Sequence, residues 1–208
     1  ISRGEVRWAP TLAVEASVNL ENFALGAVTQ AVDGTLNGDT RVRFTQQEQG
    51  WRLAVPELAV DGTLQGRPLS LQAKLNGNSD MRWQIDTLDL SQGRNRLTAQ
   101  GTMADTLDLA GRLDAPALDS LLPALGGSLS GRFSLGGTLK TPQITAELQG
   151  SDLRYAANSI GSLSLEADVA GLDDPKLAIE LALEEVMAGG QRLSQVDLAI
   201  DGRLSQHR

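Results

Sequence analysis

The residues that could carry out chemistry in this chain of 208 residues are few. There is no cysteine, and the one histidine, His207, stands beside the last residue. These counts exclude a thiol nucleophile, a cysteine-ligated metal, a multi-histidine metal site and a catalytic triad with an interior histidine. Asp173 with Asp174, and Glu184 with Glu185, are adjacent carboxylates, but no aromatic residue beside them suggests a sugar-binding platform. We interpret them as solvated charge and predict no catalytic residue, no metal ligand and no cofactor.

Two further polar segments could bind ions. Residues 33–39 carry oxygen atoms at a spacing close to that of a calcium loop, but they lack the acidic start and the distant glutamate of an EF-hand. A turn is the better interpretation of this segment. Residues 93–96 include Arg94 and Arg96, whose guanidinium groups suit phosphate oxygens. A plain hairpin turn is favoured there as well.

Charge and composition bound the class of protein. The 18 basic and 26 acidic residues give a formal charge of −8, the wrong sign for binding nucleic acid. Apolar residues make up 41% of the chain, which is typical of globular proteins. The chain contains no run of about 18 apolar residues, which is the length that a transmembrane helix requires. Because the chain opens at Ile1, we expect it to be a piece of a longer protein.

Apolar and polar residues alternate along almost the whole chain. Between Leu12 and Leu20 every second residue is apolar, and the same alternation recurs as far as Leu204. A period of two is typical of strands with one buried face, so the fold is predicted to be all-β, an antiparallel meander. Residues rich in Gly, Asn, Asp and Pro interrupt the alternation and predict turns at 76–80, 92–95, 171–175 and 189–191.

Two short segments have helical spacing instead and are predicted as short helices. They are marked by Leu25, Val28 and Val32, and by Leu118, Leu121, Leu122 and Leu125. We expect the second helix to begin near Pro116 and to end near Pro123.

These segments belong to an internal repeat with an offset of 93 residues. Gly34-Thr35-Leu36-Asn37-Gly38 aligns with Gly127-Ser128-Leu129-Ser130-Gly131, and the preceding segments align without a gap. Repeats of this kind extend a continuous core. The chain is therefore predicted to be a single elongated domain, 1–208, built of two related units at about 12–104 and 105–204.

A sheet with one apolar face must cover that face. The cover could be a second sheet, closure of the sheet on itself, a partner chain or a lipid-like ligand. Aromatic residues total 3%, fewer than expected for a sandwich filled by bulky rings, and Leu, Val, Ala and Gly suit a smooth aliphatic trough equally well. Composition alone leaves the sandwich and the trough open.

Residues 85–101, Ile-Asp-Thr-Leu-Asp-Leu-Ser-Gln-Gly-Arg-Asn-Arg-Leu-Thr-Ala-Gln-Gly, resemble the LxLxxGxNxLxAxG strands of the TamB family, AsmA-like proteins of Gram-negative envelopes. Segments at 113–118, 122–131, 136–142 and 152–155 follow in the order of the C-terminal half of that family. The resemblance covers most of the chain. It is strongest from about 87 to 169.

The resemblance implies a periplasmic sheet, anchored to the inner membrane through the parent chain and curled lengthwise into a U-shaped, taco-like hydrophobic groove. It implies transport of phospholipid acyl chains between the inner and outer membranes and support of outer-membrane protein assembly, without enzymatic activity. The implied partner is TamA, an Omp85-type protein that the parent chain, rather than these residues, is expected to contact. The alternating residues predicted to line the groove are Val14, Val18, Leu36, Val42, Leu53, Leu64, Leu71, Trp83, Ile85, Leu97, Leu109, Leu113, Leu129, Phe133, Leu139, Ile144, Leu148, Leu165, Ile179 and Leu181.

An alternative from another class stays open. In it, the chain is a chaperone-like structural module whose free strand edge pairs with a β-strand of a client outer-membrane protein. A groove predicts bound lipid and sensitivity to charges on the apolar face. An edge module predicts sensitivity to proline on the edge strand.

Overall fold

The structure, a computed structural model, describes residues 2–8, 11–24, 34–122 and 124–206. They form one open antiparallel sheet of 13 strands in which each strand lies beside its neighbours in sequence. The strands are β1 Ser2–Arg7, β2 Ala13–Ala24, β3 Gly34–Gln47, β4 Gly50–Leu64, β5 Arg67–Asn78, β6 Trp83–Gln92, β7 Asn95–Met103, β8 Leu107–Ala115, β9 Leu125–Gly137, β10 Pro142–Tyr155, β11 Asn158–Ala170, β12 Lys176–Ala188 and β13 Gln191–Arg203.

The predicted all-β meander is confirmed, and connections between strands fall within three of the four predicted turn segments. The connection predicted at 76–80 lies at 79–82 instead, because β5 continues to Asn78. The interpretation of residues 33–39 as a turn is wrong for its described part, because β3 begins at Gly34. The polar side chains of this segment bond across the strand pair: Asn37 Oδ1 accepts from Asn22 N at 2.7 Å, and Asp39 Oδ1 accepts from Asn19 Nδ2 at 2.9 Å. They belong to the polar face of a strand.

The predicted second helix is reduced to a single 3₁₀ turn, Leu118–Ser120. Only residues 116–124 connect β8 to β9, and Ala117 before the turn is extended, with φ −146°, so no longer helix can form. The first predicted helix, at Leu25, Val28 and Val32, lies outside the described residues. A 3₁₀ turn at Leu204–Gln206 was not predicted.

No helix within the described part of the chain is long and apolar enough to cross a membrane.

The chain divides into two compact units, which we call unit 1 (Ile1–Gly93 with Thr98–Ala104) and unit 2 (Arg94–Leu97 with Asp105–Arg208). Their strands follow the same spacing. Strands β2 to β7 begin at residues 13, 34, 50, 67, 83 and 95, and strands β8 to β13 begin at 107, 125, 142, 158, 176 and 191. A shift of 93 residues superimposes the two series to within three residues.

Few side chains are fully buried. Among the described residues no large side chain is less than 2% exposed. The buried apolar residues are Val60, Ala73, Leu107, Ala115, Leu118 and Val186. Most strand residues of apolar type are half-buried, so cross-strand neighbours on one face of the sheet provide much of their packing.

Candidate functional site

The register of strands β8 to β13 assembles an unbroken apolar face in unit 2. Cross-strand pairing places 24 side-chain positions of one face in four rows of six. The rows are Leu109, Leu135, Ile144, Val169, Leu177 and Gly202; Gly111, Phe133, Ala146, Ala167, Ile179 and Ile200; Leu113, Gly131, Leu148, Leu165, Leu181 and Leu198; and Ala115, Leu129, Gly150, Leu163, Leu183 and Val196. Every one of these residues is Gly, Ala, Val, Leu, Ile or Phe.

This apolar face of unit 2 remains accessible. Of its 24 positions only Ala115 and Gly150 are buried, whereas Ile144 and Leu198 are 47% and 46% exposed. Apolar surface in contact with water costs about 25 cal/mol per Å² relative to a covered surface. The face is therefore a candidate binding surface for an apolar partner.

The opposite face of unit 2 is charged. One row across it contains Arg112, Arg132, Glu147, Glu166 and Glu180 as direct neighbours. Arg132 forms an ion pair with Glu147, and this pair raises the pKa of the guanidinium group. The two faces differ in polarity, as expected of a sheet with one solvated side.

The corresponding face of unit 1 is interrupted. Thr40 and Gln92 stand among its apolar positions, and the register shifts in four strand pairs, β2–β3, β3–β4, β4–β5 and β5–β6. Its rings include Phe44 stacked on Trp51, with centroids 6.5 Å apart, and Trp83 tilted against Trp51 at 6.3 Å. Two rows across β2 to β6 are therefore interrupted by a polar residue, whereas the rows that begin at Val14 and Leu20 stay apolar.

Eighteen of the 20 residues predicted to line a groove lie on these two apolar faces. Leu97 lies half-buried in β7. Leu139 is not in a strand: it lies in the turn between β9 and β10 and is 58% exposed. The strand ends before it because Gly137 adopts φ +81° and Thr138 and Thr141 exchange backbone hydrogen bonds. That the residues on the faces line a lipid groove stays a prediction.

Sequence reasoning missed four apolar residues at the end of unit 2 where β10 turns into β11 and β12 turns into β13. Two non-glycine residues with positive φ, Asp152 at +51° and Glu185 at +53°, change the phase of alternation in β10 and β12. Beyond them, apolar pairs form between Leu153 and Ile160 and between Val186 and Leu193. A Cβ on Gly150 would lie 2.8 Å from Leu153 Cδ1, which places Leu153 on the apolar side. The signal in the sequence is the one-residue slip of the alternation at these two points.

The repeated glycine motif has a packing role. Gly38 and Gly131, its second glycines, are separated by 93 residues. A Cβ on Gly38 would collide with the carbonyl oxygen of Ala59, and a Cβ on Gly131 with that of Glu147. In both units the neighbouring strand lies too close for any side chain at this position.

Buried hydrogen bonds between Asn95, Ala117 and Ser120, which we call the polar lock, hold the connection between β8 and β9. Asn95 Nδ2 donates to Ala117 O at 2.8 Å and to Ser120 Oγ at 2.7 Å, and Asn95 Oδ1 accepts from Ala117 N at 3.0 Å. Asn95 is 4% exposed and Ser120 8%. These bonds satisfy polar groups that would be costly to bury unpaired, and they fix the 3₁₀ turn beside Ala115, at one end of the apolar face.

The paired carboxylates do not assemble into a reactive site. Asp174 accepts a hydrogen bond from Ser205 N at 2.9 Å and pairs with Arg203, and these contacts, the Ser205 bond first, lower the pKa of the carboxyl group. Glu184 accepts from Ser162 Oγ at 2.8 Å on the solvated face. Among the described residues, no group of three or more acidic or histidine side chains could hold a metal ion.

The fold and the accessible face define a repetitive, open β-sheet protein whose candidate site is a surface of aliphatic side chains. The chain matches the family model described as "TamB, N-terminal domain" over residues 2–208, and it belongs to that family. It is similar to the "Translocation and assembly module subunit TamB" of Haemophilus influenzae, with 27% identity over 208 residues. The match covers 99% of this chain but 16% of the relative, so the chain spans about a sixth of the length of that protein.

The predicted resemblance to the TamB family is thereby confirmed, but its predicted location in the C-terminal half is wrong, because the matching model is that of the N-terminal domain. The physical reason is the repeat itself: strands with the same alternation and glycine spacing recur within this chain, so short motifs do not determine position. No solved structure matches.

Proposed function

We propose that this chain is a hydrophobic-face module of a translocation and assembly module subunit, which shields phospholipid acyl chains as they pass between the inner and outer membranes. The observation that carries the proposal is the apolar face of unit 2, where 24 neighbouring positions hold no polar side chain and 22 of them stay accessible. Membership of the TamB family and the name of the Haemophilus influenzae relative support it.

The dimensions of this face suit a hydrocarbon chain. Adjacent strands are about 4.8 Å apart, so the five intervals from β8 to β13 span about 24 Å. One leaflet of a bilayer contributes about half of a hydrocarbon core of roughly 30 Å. An extended acyl chain therefore fits across the strands of unit 2 alone.

The chemistry of the face favours transport over tight, selective binding. Each methylene group moved from water onto it gains up to about 0.8 kcal/mol. Because neighbouring rows present similar aliphatic groups, a chain that moves from row to row exchanges equivalent contacts. The face offers no side chain to a charged head group, which would stay in solvent because its unpaired burial is costly.

This proposal extends to location and partners. The module would act in the periplasm of a Gram-negative envelope, as part of an inner-membrane-anchored protein, without enzymatic activity. A TamA-like outer-membrane protein would be reached through the parent chain, and assembly of outer-membrane proteins would depend on the lipid supplied.

The test compares one charge on each face of the same strand. Leu165→Arg places a cation in the third row of the apolar face, and Ser164→Arg places the same cation on the exposed, solvated face of β11. Lipid binding is measured by native mass spectrometry and by photo-crosslinking of a phospholipid probe from Leu181. We expect Leu165→Arg to lower crosslinking at least tenfold and Ser164→Arg to leave it within twofold.

Circular dichroism and urea unfolding establish that both variants fold. Equal crosslinking in the folded variants, or a wild-type protein that carries and captures no lipid, would refute the acyl-chain proposal.

The edge module remains the second candidate because β13, which pairs only with β12 among the described strands, has 13 residues and no proline. Long edge strands without proline, bulges or inward charges readily accept another strand. A proline at a β13 position whose N–H points away from β12 would block client pairing and spare lipid crosslinking. Leu165→Arg would do the reverse.

A further inference from the structure

The connection between β8 and β9 is the longest in unit 2. It extends from residue 116 to residue 124, whereas the other connections of unit 2 have two to five residues. It contains the 3₁₀ turn Leu118–Ser120, in which Leu118 is 9% exposed and Ser120 is 8% exposed. Connecting segments usually run over the surface with exposed side chains, so buried residues indicate a segment packed on the sheet. We call residues 116–122 the strap.

The strap begins at the one corner of the apolar face that is covered. Of the 24 positions of this face, only Ala115 and Gly150 are buried. Gly150 has no side chain and lies beneath Leu153, because a Cβ on it would be 2.8 Å from Leu153 Cδ1. Ala115 is the last residue of β8 and is 1% exposed. The burial of Ala115 together with Leu118 indicates that the strap folds back over this corner.

The neighbouring strand holds the strap on the apolar side of the sheet. Asn95 is the first residue of β7, which lies beside β8. Alternation places Asn95 on the same face of β7 as Leu97 and Ala99, which are half-buried, whereas Arg96 and Gln100 on the opposite face are exposed. The polar lock is therefore made on the apolar side.

The polar lock uses both functions of a primary amide. Asn95 Nδ2 donates to Ala117 O at 2.8 Å and Asn95 Oδ1 accepts from Ala117 N at 3.0 Å, so the side chain binds both backbone groups of one residue. Ala117 is extended, with φ −146°, which makes these two groups available. Alanine at position 95 would offer neither a donor nor an acceptor.

The strap is not packed against β10. A cavity of about 560 Å³ lies between them, with Pro116 and Asp119 of the strap on its wall together with Ser151, Asp152 and Arg154 of β10. The strap consequently depends on the polar lock and on the burial of Leu118 to stay in place.

The covered corner affects one row of the apolar face. The first three rows begin in β8 with Leu109, Gly111 and Leu113, which are all accessible. The fourth row begins with the buried Ala115, so its accessible part begins at Leu129 in β9. Leu118 supplies there the kind of aliphatic cover that an acyl chain would supply elsewhere on the face.

We propose that Asn95 is a positioning residue that holds Leu118 over Ala115 and thereby closes the β8 end of the fourth row to acyl chains. The identity of the excluded ligand rests on the proposed function, whereas closure by the strap does not. Release of the polar lock would extend the accessible apolar face by Ala115 and Leu118.

The experiment measures the reactivity of a single thiol. Because the chain has no cysteine, Ala115→Cys places one in the covered corner and Ala146→Cys places one in the accessible second row. The reagents are iodoacetamide, which is soluble in water, and a phospholipid with a maleimide on one acyl chain. We expect both reagents to modify Ala115→Cys about tenfold more slowly than Ala146→Cys. Hydrogen exchange in residues 117–121 verifies that Ala115→Cys keeps the strap closed.

Two independent changes should open the corner. Asn95→Ala removes the polar lock, and Leu118→Ala removes the cover but keeps the lock. Each should accelerate modification of Ala115→Cys about fivefold and leave Ala146→Cys within about twofold. The matched control is Leu122→Ala in the same strap, where the side chain is 54% exposed, and it should change neither rate. Circular dichroism establishes that the variants fold.

Rapid modification of Ala115→Cys in the otherwise unchanged chain would overturn the proposal. So would unchanged reactivity in the folded Asn95→Ala and Leu118→Ala variants, or equal acceleration at Ala146→Cys, which would mean that the whole unit loosens. If iodoacetamide modifies Ala146→Cys but the phospholipid reagent does not, the acyl-chain proposal fails and closure by the strap stands. If both reagents modify Ala146→Cys and neither strap variant affects Ala115→Cys, only the strap proposal fails.

Discussion

Units 1 and 2 share their strand spacing but differ in the continuity of their apolar faces. In the described strand pairs, the register shifts in four pairs of unit 1 and in one pair of unit 2, β9–β10. Unit 2 has four unbroken apolar rows, whereas two of the four rows that cross β2 to β6 in unit 1 are interrupted, one at Thr40 and one at Gln92. The comparison teaches that alternation within strands suffices to build a repeat, but a continuous apolar surface also requires every cross-strand neighbour to be apolar.

The units also differ in their aromatic residues and their turns. All three tryptophans, Trp8, Trp51 and Trp83, belong to unit 1. At the positions related by the 93-residue shift, unit 1 has Ser79 where unit 2 has Leu172. Unit 1 does expose Met81, at 64%, in that turn, so apolar exposure in turns is not confined to unit 2.

The largest loss of stability is expected when a side chain is placed where two strands approach closely, in one unit at a time. Gly131→Ala should destabilise unit 2, and Gly38→Ala should destabilise unit 1, each by about 3 kcal/mol, because the new Cβ collides with backbone of the next strand. Urea unfolding followed by tryptophan fluorescence reports unit 1, and circular dichroism reports both units.

Gly136→Ala is the control for these variants, since a Cβ there would lie 4.0 Å from its nearest neighbour, Leu107 O. It should cost less than about 0.5 kcal/mol. If Gly131→Ala moved the fluorescence transition as much as Gly38→Ala does, the two units would unfold together. The units would then differ in packing but not in stability.

A smaller loss is expected from removing the polar lock of unit 2. Asn95→Ala should cost about 2 kcal/mol, because Ala117 N and Ser120 lose buried hydrogen bonds. Asn19→Ala in unit 1 removes one bond to Asp39 at the surface and should cost less than about 1 kcal/mol. Hydrogen exchange should accelerate in residues 117–121 of the first variant only, and an equal cost for both would contradict a specific role of the lock.

Neutralising one glutamate on the charged face should change the free energy of unfolding only slightly, and in opposite directions in the two units. Glu166 of unit 2 stands between Glu147 and Glu180, so Glu166→Gln should stabilise the chain by up to about 0.5 kcal/mol. Glu57 of unit 1 stands opposite Arg41, so Glu57→Gln should destabilise it by a similar amount or less. Both effects should shrink in 1 M salt, and persistence there would mean that they are not electrostatic.

The smallest effect concerns the hydrogen bond between the β11–β12 connection and the segment that follows β13. The pKa of Asp174 is lower in the folded chain than in the unfolded chain, chiefly because Ser205 N donates to it. Its contribution to stability is thus present above the unfolded-state pKa and is lost as the pH falls through the folded-state value. Protection of the Ser205 amide, followed by NMR, should fall over that acidic range and should be low at every pH in Asp174→Ala, which has no acceptor.

Much of the fold could be predicted because its signals are local. Every second residue from Leu12 to Leu20 is apolar, and this alternation alone indicated a strand that proved to be most of β2. Turns at residues 93–94 and 189–190 followed from the Gly and Asn residues around them. Leu118 failed as a helix signal because Asn95, distant in sequence, binds the backbone of Ala117 and holds the segment as a 3₁₀ turn.

The candidate site was only partly predictable. Alternation identified Leu109, Leu165 and Leu181 as members of apolar faces, but it did not reveal that unit 2 has an unbroken surface and unit 1 does not. Leu139 continued the alternation of β9, yet the turn after Gly137 removes it from the sheet. Leu153 was missed because Asp152 changes the phase of its strand.

The order of residues along the chain set the alternation, the positions of the turns, the 93-residue period and the family, since each depends on neighbours within a few residues or on recurrence of the same segment. Pairing between strands set the rest: which apolar positions become neighbours, where the register shifts and which leucines leave the sheet. The reason is that a one-residue change of register moves a strand's side chains to the other face, and register is a property of two segments at once. The continuous face of unit 2 exists only because five successive pairings agree.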